Sequence, residues 1–397
     1  MKILQVGATF VGAQKKIENA IHDYVRAQGH DSRIFFAIGE SDDGDVVCYE
    51  NRVDSIIRRG LRKVFGKNPR FAWLSTRKLI AHIKEYNPDL VHIHIIHHGY
   101  LDYELLLDFL AQQKVPVVFT VHDMWFFTGG CYYYSAVGCN GFLNECKNCP
   151  ANEKQLDCRK RETAKALRTK MRLYTGLEKA CFVSVSPWVY SEIQKSMLNI
   201  FPQYLSMNAI DKVAHALPDV EKKRKFTLIG VATNWDNRKG LHRFYELGEA
   251  VKDLCDIILV GTVAEELKAG APANIIFHGY ANSSEELYNL YAGSDLHVSM
   301  SLEETFGLTF VEAALAGIKS MGFASTAIPD VLSKTKGYLI ASCTVEEASA
   351  KIRELSQNRE LCKITGEEFD EIRYYFSPQR MAAEYLEVYE KMYNSNK

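Results

Sequence analysis

The chain has 397 residues, which is enough for two domains with large cores, and 47% of its residues are hydrophobic. Its 48 basic side chains nearly balance 49 acidic ones, and the formal charge of −1 argues against general nucleic-acid binding. No apolar run approaches the roughly 18 residues of a membrane-spanning helix. The first ten residues lack the apolar core and cleavage site of a signal peptide, so we expect a cytoplasmic enzyme.

Short β-rich runs alternate with helical stretches along the chain, which is the pattern of parallel sheets covered by helices. The sequence therefore predicts an α/β protein of two doubly wound domains, with ligands beyond the carboxyl ends of the strands. The strands expected in the first half are 2–6, 33–38, 90–95, 117–121 and 182–186. Those expected in the second half are 226–231, 257–260, 275–278, 296–299, 320–323 and 338–340.

Two further segments complete this organisation. Residues 202–218 read partly as a linker. A final helix is expected over about 378–393, because apolar residues recur there at the spacing of a core-facing stripe. Its stripe consists of Met381, Tyr385, Tyr389 and Met392.

The loop after the first strand contains glycine but lacks the dinucleotide-binding fingerprint. Gly12, in VGATFVGAQ, allows the backbone to approach a ligand closely. The missing GxGxxG weakens an assignment to the dinucleotide-dependent oxidoreductases. Asp43 and Asp45 superficially match a metal-binding DxD pair, but we interpret their acidic loop, SDDGD, as a solvated turn.

Residues 52–78 hold nine basic residues and one acid, interleaved with large apolar side chains. Either this segment is a solvated basic face, or it is a helix that rests on anionic lipid. A membrane-anchored substrate would require the second arrangement. We therefore expect peripheral association with a membrane.

Histidines concentrate around two predicted strands of the first half. His122 and Asp123 follow strand 117–121 directly, at the edge where catalytic groups of such sheets gather, and Trp125 lies close behind. The run HIHIIHHG holds four more histidines, which either bind zinc or are buried and bonded to neighbouring loops.

Ten cysteines without an export signal predict reduced thiols or metal ligands rather than a disulfide framework. Four of them follow strand 117–121, and the last two form the CxxC pair of CKNCP. Four thiolates complete a tetrahedral zinc shell, although the spacing before the CxxC pair is not that of a standard zinc finger. The sequence thus predicts a structural zinc site formed by Cys131, Cys139, Cys146 and Cys149.

The most informative segment is EETFGLTFVEAALAG, residues 303–317. It predicts a short helix over 308–316, stopped by a glycine suited to the left-handed cap. Glu304 would lie in the loop before this helix and Glu312 one turn inside it. Free N–H groups beside Gly307 would let an anion approach closely. This arrangement suits a diphosphate with hydroxyl-rich groups at both ends, and a nucleotide sugar is such a ligand.

A second segment, TNWDNRKG, places Arg238 and Lys239 at a strand-to-helix junction. Departure of a nucleoside diphosphate leaves negative charge on the phosphates, and a metal or fixed basic side chains must stabilise it. Gly279 and Tyr280 end another strand, at the edge expected for the nucleotide.

The segment 303–317 resembles the signature of glycosyltransferase family 4, and the resemblance extends over nearly the whole chain, most strongly at 115–150 and 303–317. It implies the GT-B fold, two Rossmann-like domains facing a cleft, with a last helix that returns to the first domain. The implied domains are 1–205, completed by 377–397, and 206–376. The resemblance also implies a retaining reaction without an enzymic nucleophile, in which the acceptor attacks the face that the leaving group vacates.

Residue roles follow from the same resemblance. Glu304 would contact the donor sugar and Glu312 the ribose, and Lys239 would hold the diphosphate. Either Arg238 or Asn234 would replace the arginine that the family usually places five residues before this lysine. His122 would be the catalytic histidine, with His97, Asp123 and Trp125 on the acceptor side. Backbone contacts to the donor would come from Gly12, Gly279, Tyr280, Thr305, Phe306, Gly307 and Leu308.

The predicted function is transfer of a hexose from a UDP- or GDP-sugar to a glycan or lipid-linked acceptor in polysaccharide biosynthesis, with no cofactor required for catalysis. One alternative is a nucleotide-sugar epimerase on the same fold, which needs no second substrate. Another is a non-catalytic sugar-binding or scaffold protein. Donor turnover in the presence of acceptor distinguishes all three.

Overall fold

The computed structural model describes residues 1–50, 52–65, 69–152, 155–210 and 225–394. The chain divides into two compact units. The first comprises Met1–Asp211 and Pro378–Lys397, and the second comprises Lys212–Ser377. Each unit has its own parallel sheet, so the predicted α/β class with two doubly wound domains is confirmed.

The first unit is built on a seven-stranded sheet in the order β5-β3-β1-β6-β7-β8-β9, with β2 and β4 forming a separate two-stranded pair. Every pairing is parallel. The strands are β1 (Lys2–Val6), β2 (Thr9–Phe10), β3 (Asp31–Phe36), β4 (Ile38–Gly39), β5 (Val46–Cys48), β6 (Leu90–Ile93), β7 (Val117–Val121), β8 (Ala180–Ser184) and β9 (Gln203–Leu205). The helices are α1 (Gly12–Ala27), α2 (Arg52–Phe65), α3 (Trp73–Tyr86), α4 (Tyr103–Gln113), α5 (Thr163–Gly176) and α6 (Pro187–Lys195).

The central strands form because they are apolar throughout. Every residue of β6, β7 and β8 is buried, as expected for a parallel sheet that helices cover on both faces. Local signals then begin the helices. Asp102 caps α4 by accepting from the Leu105 N–H, and Ser186 caps α6 just before a proline at its first position.

The second unit contains a six-stranded parallel sheet in the order β12-β11-β10-β13-β14-β15. Its strands are β10 (Phe226–Asn234), β11 (Cys255–Thr262), β12 (Ile275–Gly279), β13 (Leu296–Ser299), β14 (Ser320–Phe323) and β15 (Tyr338–Ile340). Its helices are α7 (Leu241–Ala250), α8 (Glu265–Lys268), α9 (Ser284–Ala292), α10 (Leu308–Leu315), α11 (Ile328–Lys334), α12 (Val345–Ser356) and α13 (Gly366–Tyr375).

The last helix, α14 (Pro378–Asn394), belongs to the first unit and packs along α1. Met381, Tyr385, Tyr389 and Met392 are buried in one cluster with Ile3 and other core residues. The predicted core stripe of this helix is therefore confirmed.

Two details of the sequence-based prediction were wrong. Residues 203–205, assigned to a linker, form the edge strand β9, which the sequence pattern misses because three residues are too few to show a period. The short strands β2, β4 and β5 were missed for the same reason.

Within the described residues, no helix combines the length and apolarity needed to cross a bilayer.

In both sheets the strand order reverses direction beside the first strand of the unit. The chain moves to one side of β1 through β3 and to the other through β6, and it divides in the same way around β10, between β11 and β13. In open α/β sheets, ligands bind at the carboxyl ends of the strands where the order reverses. The predicted site residues follow these strands.

Candidate active site

In the second unit the structure brings Lys239 and Glu304 together. The Lys239 Nζ lies 2.5 Å from Oε1 of Glu304, and both side chains are partly exposed. Although 65 positions separate them in the chain, their loops follow the neighbouring strands β10 and β13. The predicted phosphate-binding lysine and sugar-binding glutamate are thus adjacent at the switch point of this sheet.

Backbone geometry fixes both partners of this pair. Gly240 has a positive φ of 78°, and a Cβ there would lie 2.3 Å from the Met300 carbonyl oxygen, so only glycine allows this close approach. The Asp236 carboxylate accepts from the Lys239 N–H at 2.8 Å. On the other side, the Glu304 N–H donates to Thr326 Oγ1 at 2.9 Å. Backbone contacts on both sides therefore position Lys239 and Glu304 next to each other.

Helix α10 begins next to this pair, and no side chain caps its N-terminus. Gly307 is its N-cap residue, with a φ of 93° and no capping side chain. The first N–H groups of a helix lack partners within the helix and carry partial positive charge, so this turn suits an anion. Thr305 and Leu308 are partly exposed here, whereas Phe306 is buried.

Glu312 lies further along α10, and Tyr291 donates to its Oε2 at 3.3 Å. The remaining predicted donor contacts lie at other strand ends of this sheet. Asn234 is the last residue of β10 and is exposed, while Arg238 is partly buried near the Lys239 turn. Gly279 ends β12 with a φ of 82°, and the residue that follows it, Tyr280, is 66% exposed.

In the first unit a chain of hydrogen bonds leads to His122. The Nε2 group of Gln5 donates to the Glu18 carbonyl at 3.1 Å, which turns Gln5 Oε1 towards His94 Nε2 at 3.0 Å. His94 Nδ1 then lies 3.2 Å from His122 Nε2. The three side chains come together because β1, β6 and β7 are neighbouring strands whose carboxyl ends meet at one edge.

These hydrogen bonds determine which ring nitrogens of His94 and His122 carry a proton. A carbonyl oxygen only accepts, so Gln5 must present its Oε1 to His94, whose Nε2 therefore carries the proton. His94 Nδ1 is then an acceptor, and His122 must donate from Nε2. In the neutral imidazole that results, Nδ1 of His122 carries the lone pair.

Both histidines are neutral at physiological pH. Burial lowers the pKa of His122 to about 4, although Asp123 opposes the shift. Burial also lowers the pKa of His94 well below its usual value, and the neighbouring His92 and His122 add to this effect. His122 nevertheless remains partly exposed, whereas His94 is fully buried.

His97 and Asp123 form a second contact beside His122. His97 Nε2 lies 2.9 Å from Asp123 Oδ2, and the His97 ring stacks on Trp125 at 5.0 Å between centroids. Burial raises the pKa of Asp123, but His97 and the Trp125 N–H outweigh it, so the net shift is downward and Asp123 is ionised. Both His97 and Trp125 are buried, so neither side chain offers an open surface to an acceptor.

The histidine run of the sequence resolves into two groups. His92 is buried and bonded to Tyr389 at 2.6 Å and to Thr120 at 2.7 Å, which is the structural alternative that the sequence left open. His97, His98 and Asp123 form the one group of potential metal ligands, among the described residues, whose ligand atoms lie within 4.8 Å of one another.

Gly12 borders a groove in the first unit with a volume of about 840 Å³. It has a φ of 58° and begins α1, whose N-terminus has no capping side chain. Lys15 and Glu40 also line this groove, and the Lys15 ammonium donates to the Glu40 carbonyl oxygen at 3.2 Å. In contrast, Asp43 and Asp45 form the expected surface turn, in which Asp43 accepts from the Asp45 N–H at 2.9 Å.

The four cysteines of the predicted zinc site, Cys131, Cys139, Cys146 and Cys149, all line one small cavity of about 20 Å³.

Sequence analysis missed Gln5 and His94, which position His122. The signal for Gln5 was available, because a polar residue inside an apolar strand needs a buried partner.

The chain is similar to known glycosyltransferases. Residues 210–370 match the family model of "Glycosyl transferases group 1", and residues 20–195 match that of "Glycosyltransferase Family 4". A similar curated protein is "Putative colanic acid biosynthesis glycosyl transferase WcaC" of Escherichia coli K12, 23% identical over 99% of this chain and all of that protein.

Solved structures show the fold. Sucrose-phosphate synthase from Thermosynechococcus elongatus superposes with a TM-score of 0.70 at 14% identity over the full length of both chains. WaaG, a glycosyltransferase involved in lipopolysaccharide biosynthesis, superposes with a TM-score of 0.64 at 17% identity, over 98% of this chain and 99% of WaaG. Both likenesses identify the fold as GT-B.

The fold and the matching family models therefore define a glycosyltransferase of the GT-B class. Because the two family models match successive parts of the chain, it belongs to the group 1, family 4 glycosyltransferases.

Proposed function

We propose that this enzyme is a retaining glycosyltransferase of polysaccharide biosynthesis, which transfers a hexosyl unit from a UDP- or GDP-sugar to a glycan or polyprenyl-linked acceptor. The observation that carries the proposal is the 2.5 Å pair of Lys239 and Glu304 beside the uncapped start of α10. A cation, a carboxylate and free amide donors are the groups that a sugar diphosphate requires.

Donor binding would separate Lys239 from Glu304. Lys239 would move to the diphosphate, where its charge stabilises the leaving group, and Arg238 or Asn234 would add a second contact from the same loop. Amides at Gly307 and Leu308 would bind the other phosphate oxygens. Glu304 would then accept hydrogen bonds from sugar hydroxyls, and Glu312 from the ribose.

The proposed reaction needs no enzymic nucleophile, and its bonds, proton and charge are all accounted for. The bond between the anomeric carbon and the phosphate oxygen breaks, and a bond to the acceptor oxygen forms on the same face of the sugar. The acceptor proton passes to the departing phosphate oxygen, so charge does not accumulate. No cofactor is required by this scheme, because basic side chains and amides take the role that a metal has in other transferases.

His122 would orient the donor sugar or the acceptor through its Nδ1 lone pair. Because its Nε2 proton is directed to His94, only Nδ1 is available to accept a hydrogen bond from a sugar hydroxyl. The low pKa of His122 keeps this lone pair free at neutral pH.

Known relatives support the finer assignments. WcaC is described as a colanic acid glycosyltransferase, which favours a polysaccharide acceptor. HepE of Anabaena, a structural neighbour at 14% identity and a TM-score of 0.62, was solved with UDP-glucose, which favours a uridine donor. The exposed apolar residues and basic residues of α2 favour a peripheral position at the inner face of the cell membrane.

Donor turnover tests the proposal. The enzyme is incubated with UDP- and GDP-hexoses, with and without a polyprenyl-linked glycan, and the products are identified by mass spectrometry. We expect acceptor-dependent release of the nucleoside diphosphate and retention of the anomeric configuration. Epimerised donor without acceptor, or no turnover with any donor, would instead support one of the two alternative functions.

A further inference from the structure

The cysteine cavity lies in the segment that follows the His122 turn, outside the proposed donor site. Cys131, Cys139, Cys146 and Cys149 line it together with apolar groups such as Phe142 and Leu156. A space of 10–15 Å³ or more holds one water-sized particle, so a cavity of about 20 Å³ suits a single ion. Four soft ligands around a space for one ion are the composition of a thiolate metal site.

Two of these sulfur atoms already accept hydrogen bonds from the backbone. The Gly129 N–H donates to Cys146 Sγ at 3.1 Å, and the Gly141 N–H donates to Cys139 Sγ at 3.3 Å. Such donors orient the two sulfur atoms, as hydrogen bonds from the outer shell do for metal ligands. The geometry at Gly129 requires glycine, since a Cβ there would lie 2.8 Å from the Cβ of Cys146.

The backbone around the CxxC pair is strained. Glu145, Cys146 and Asn148 all have left-handed conformations, with φ values of 60°, 52° and 55°. Non-glycine residues rarely adopt this conformation, and such strain persists where the surrounding structure or a ligand imposes it. Three such residues among four lie at or between the two CxxC cysteines or directly before them, and both cysteines line the same cavity.

Cys158 is close to the cluster but has the opposite hydrogen bonding. Its thiol donates to the Gly129 carbonyl oxygen at 3.1 Å, and this hydrogen bond requires the thiol proton. It does not line the cavity. This difference separates four ligand cysteines from a fifth that remains a thiol.

We propose that Cys131, Cys139, Cys146 and Cys149 bind one structural zinc ion. Binding releases four thiol protons and forms four Zn–S bonds of about 2.3 Å, which leaves a centre of charge −2. No three of these sulfur atoms lie within 4.8 Å of one another in the described chain, so the side chains rotate inward when the metal binds. The buried ammonium of Lys170 on α5, 3.9 Å from the Trp125 ring centroid, supplies a positive charge that interacts with Cys131 and Cys146.

The metal would hold the loop that supports the His122 turn. Thr128 Oγ1 donates to the carbonyl of Cys131 at 2.7 Å, and the Thr128 N–H donates to Trp125 O at 3.4 Å. The zinc site is thus connected to the turn containing Asp123 and Trp125 through one residue, but it is not part of the reaction.

Metal analysis of the full-length protein, purified under reducing conditions, tests the proposal. We expect about one zinc ion per chain, and, after removal of zinc, Co²⁺ should give the visible and thiolate charge-transfer bands of a tetrahedral four-sulfur site. Cys149→Ser, at a partly exposed position, should reduce the zinc content to about half or less, because three ligands bind the metal much more weakly. Cys158→Ser is the matched control from the same segment and should retain the metal.

Three results would overturn the proposal. The first is reduced wild-type protein that takes up neither Zn²⁺ nor Co²⁺. The second is a disulfide between any two of the four cysteines in protein that was protected from oxidation during purification. The third is equal zinc loss in Cys149→Ser and Cys158→Ser. Because the Co²⁺ titration uses wild-type protein, its outcome does not depend on whether a variant folds, and it is independent of sugar transfer.

Discussion

His94 Nδ1 accepts a hydrogen bond from His122 Nε2 at 3.2 Å. The direction of this bond is set by the backbone carbonyl of Glu18, which acts through the side chains of Gln5 and His94. The carbonyl of Glu18 orients Gln5, Gln5 orients His94, and His94 holds the proton of His122 on Nε2. The tautomer of the proposed catalytic histidine is therefore a property of the fold of the first unit.

Replacing His94 by phenylalanine keeps a ring in place but removes the acceptor for His122. A net hydrogen bond is worth about 1 kcal/mol, so we expect kcat to fall by roughly three- to tenfold with little change in KM for the donor. In ¹⁵N NMR spectra, His122 should change from the pure Nε2–H form to a mixture of tautomers.

Tyr389→Phe is the control, because it removes a hydroxyl from His92 but leaves the bond between His94 and His122. It should leave the His122 tautomer unchanged. An Nδ1–H signal for His122 in the wild-type protein would contradict the proposed proton positions.

Replacing Lys239 by alanine should reduce kcat/KM by about 10²–10³, because one fixed donor to a developing negative charge contributes about that much to the rate. Glu304→Ala should also reduce transfer strongly, and both variants should keep the unfolding midpoint of the wild type to within a few degrees. Steady-state assays with a UDP- or GDP-hexose measure the effect.

Lys319→Ala serves as the comparison, since Lys319 forms a similar partly buried pair with Glu368 in the same unit, at 3.2 Å. We expect nearly full activity from it. If Lys239→Ala retained the activity of Lys319→Ala, the assignment of the donor site would be wrong.

Glu18 gives a pH dependence of stability. Burial raises its pKa to about 8, although a hydrogen bond from Gln14 opposes the shift. In the unfolded chain the carboxyl has a pKa of about 4.5, so between pH 4.5 and 8 the folded state holds a proton that the unfolded state releases. The contribution of Glu18 to stability is therefore complete below pH 4.5 and is lost as the pH rises towards 8.

Glu18→Gln removes this titration. Between pH 5 and pH 8 the stability of the variant should improve relative to the wild type by up to roughly 4 kcal/mol, as measured by urea unfolding at both pH values. Glu178→Gln, at an exposed position of the same unit, should show no such change. A constant difference between Glu18→Gln and the wild type across this range would show that Glu18 is ionised in the folded protein.

Helix α2 is expected to bind anionic membranes. Val53, Ile56, Ile57 and Val64 leave 43–74% of their surface exposed, and the basic residues Arg59 and Lys63 are exposed beside them. The double variant Ile56→Glu, Val64→Glu should lose most binding to phosphatidylserine vesicles in a sedimentation assay, and wild-type binding should weaken as salt rises.

Ile200→Glu is a suitable control, because Ile200 is an equally exposed apolar residue elsewhere in the first unit, at 63% exposure. It should bind vesicles like the wild type. If the wild type does not bind at low salt, the membrane prediction is wrong.

The sequence alone was sufficient for the fold class and the central strands, because β1, β7, β13 and β14 are short apolar runs bounded by polar turns. It also located Glu304 and Lys239, since each follows a predicted strand. Their direct contact could not be predicted, because it depends on β10 and β13 being neighbours in the sheet. The strand order is decided by long-range packing rather than by local pattern.

The same reason explains why the residues behind His122 were missed. Gln5 and His94 reach each other only when β1 lies beside β6, and Tyr389 reaches His92 across 297 positions of the chain. A local pattern carries no information about such distances. By contrast, the cysteines lie within one continuous segment, and their gathering around one cavity could be inferred from spacing and residue type.

Helix α14 has a practical consequence for dissecting the gene. A fragment that stops at residue 211 would uncover Ile3 and Ile17 and remove the phenol groups bonded to Thr120 and His92. An expressible version of the first unit must therefore carry residues 378–394 as well, either fused through a short spacer or placed ahead of Met1 by circular permutation.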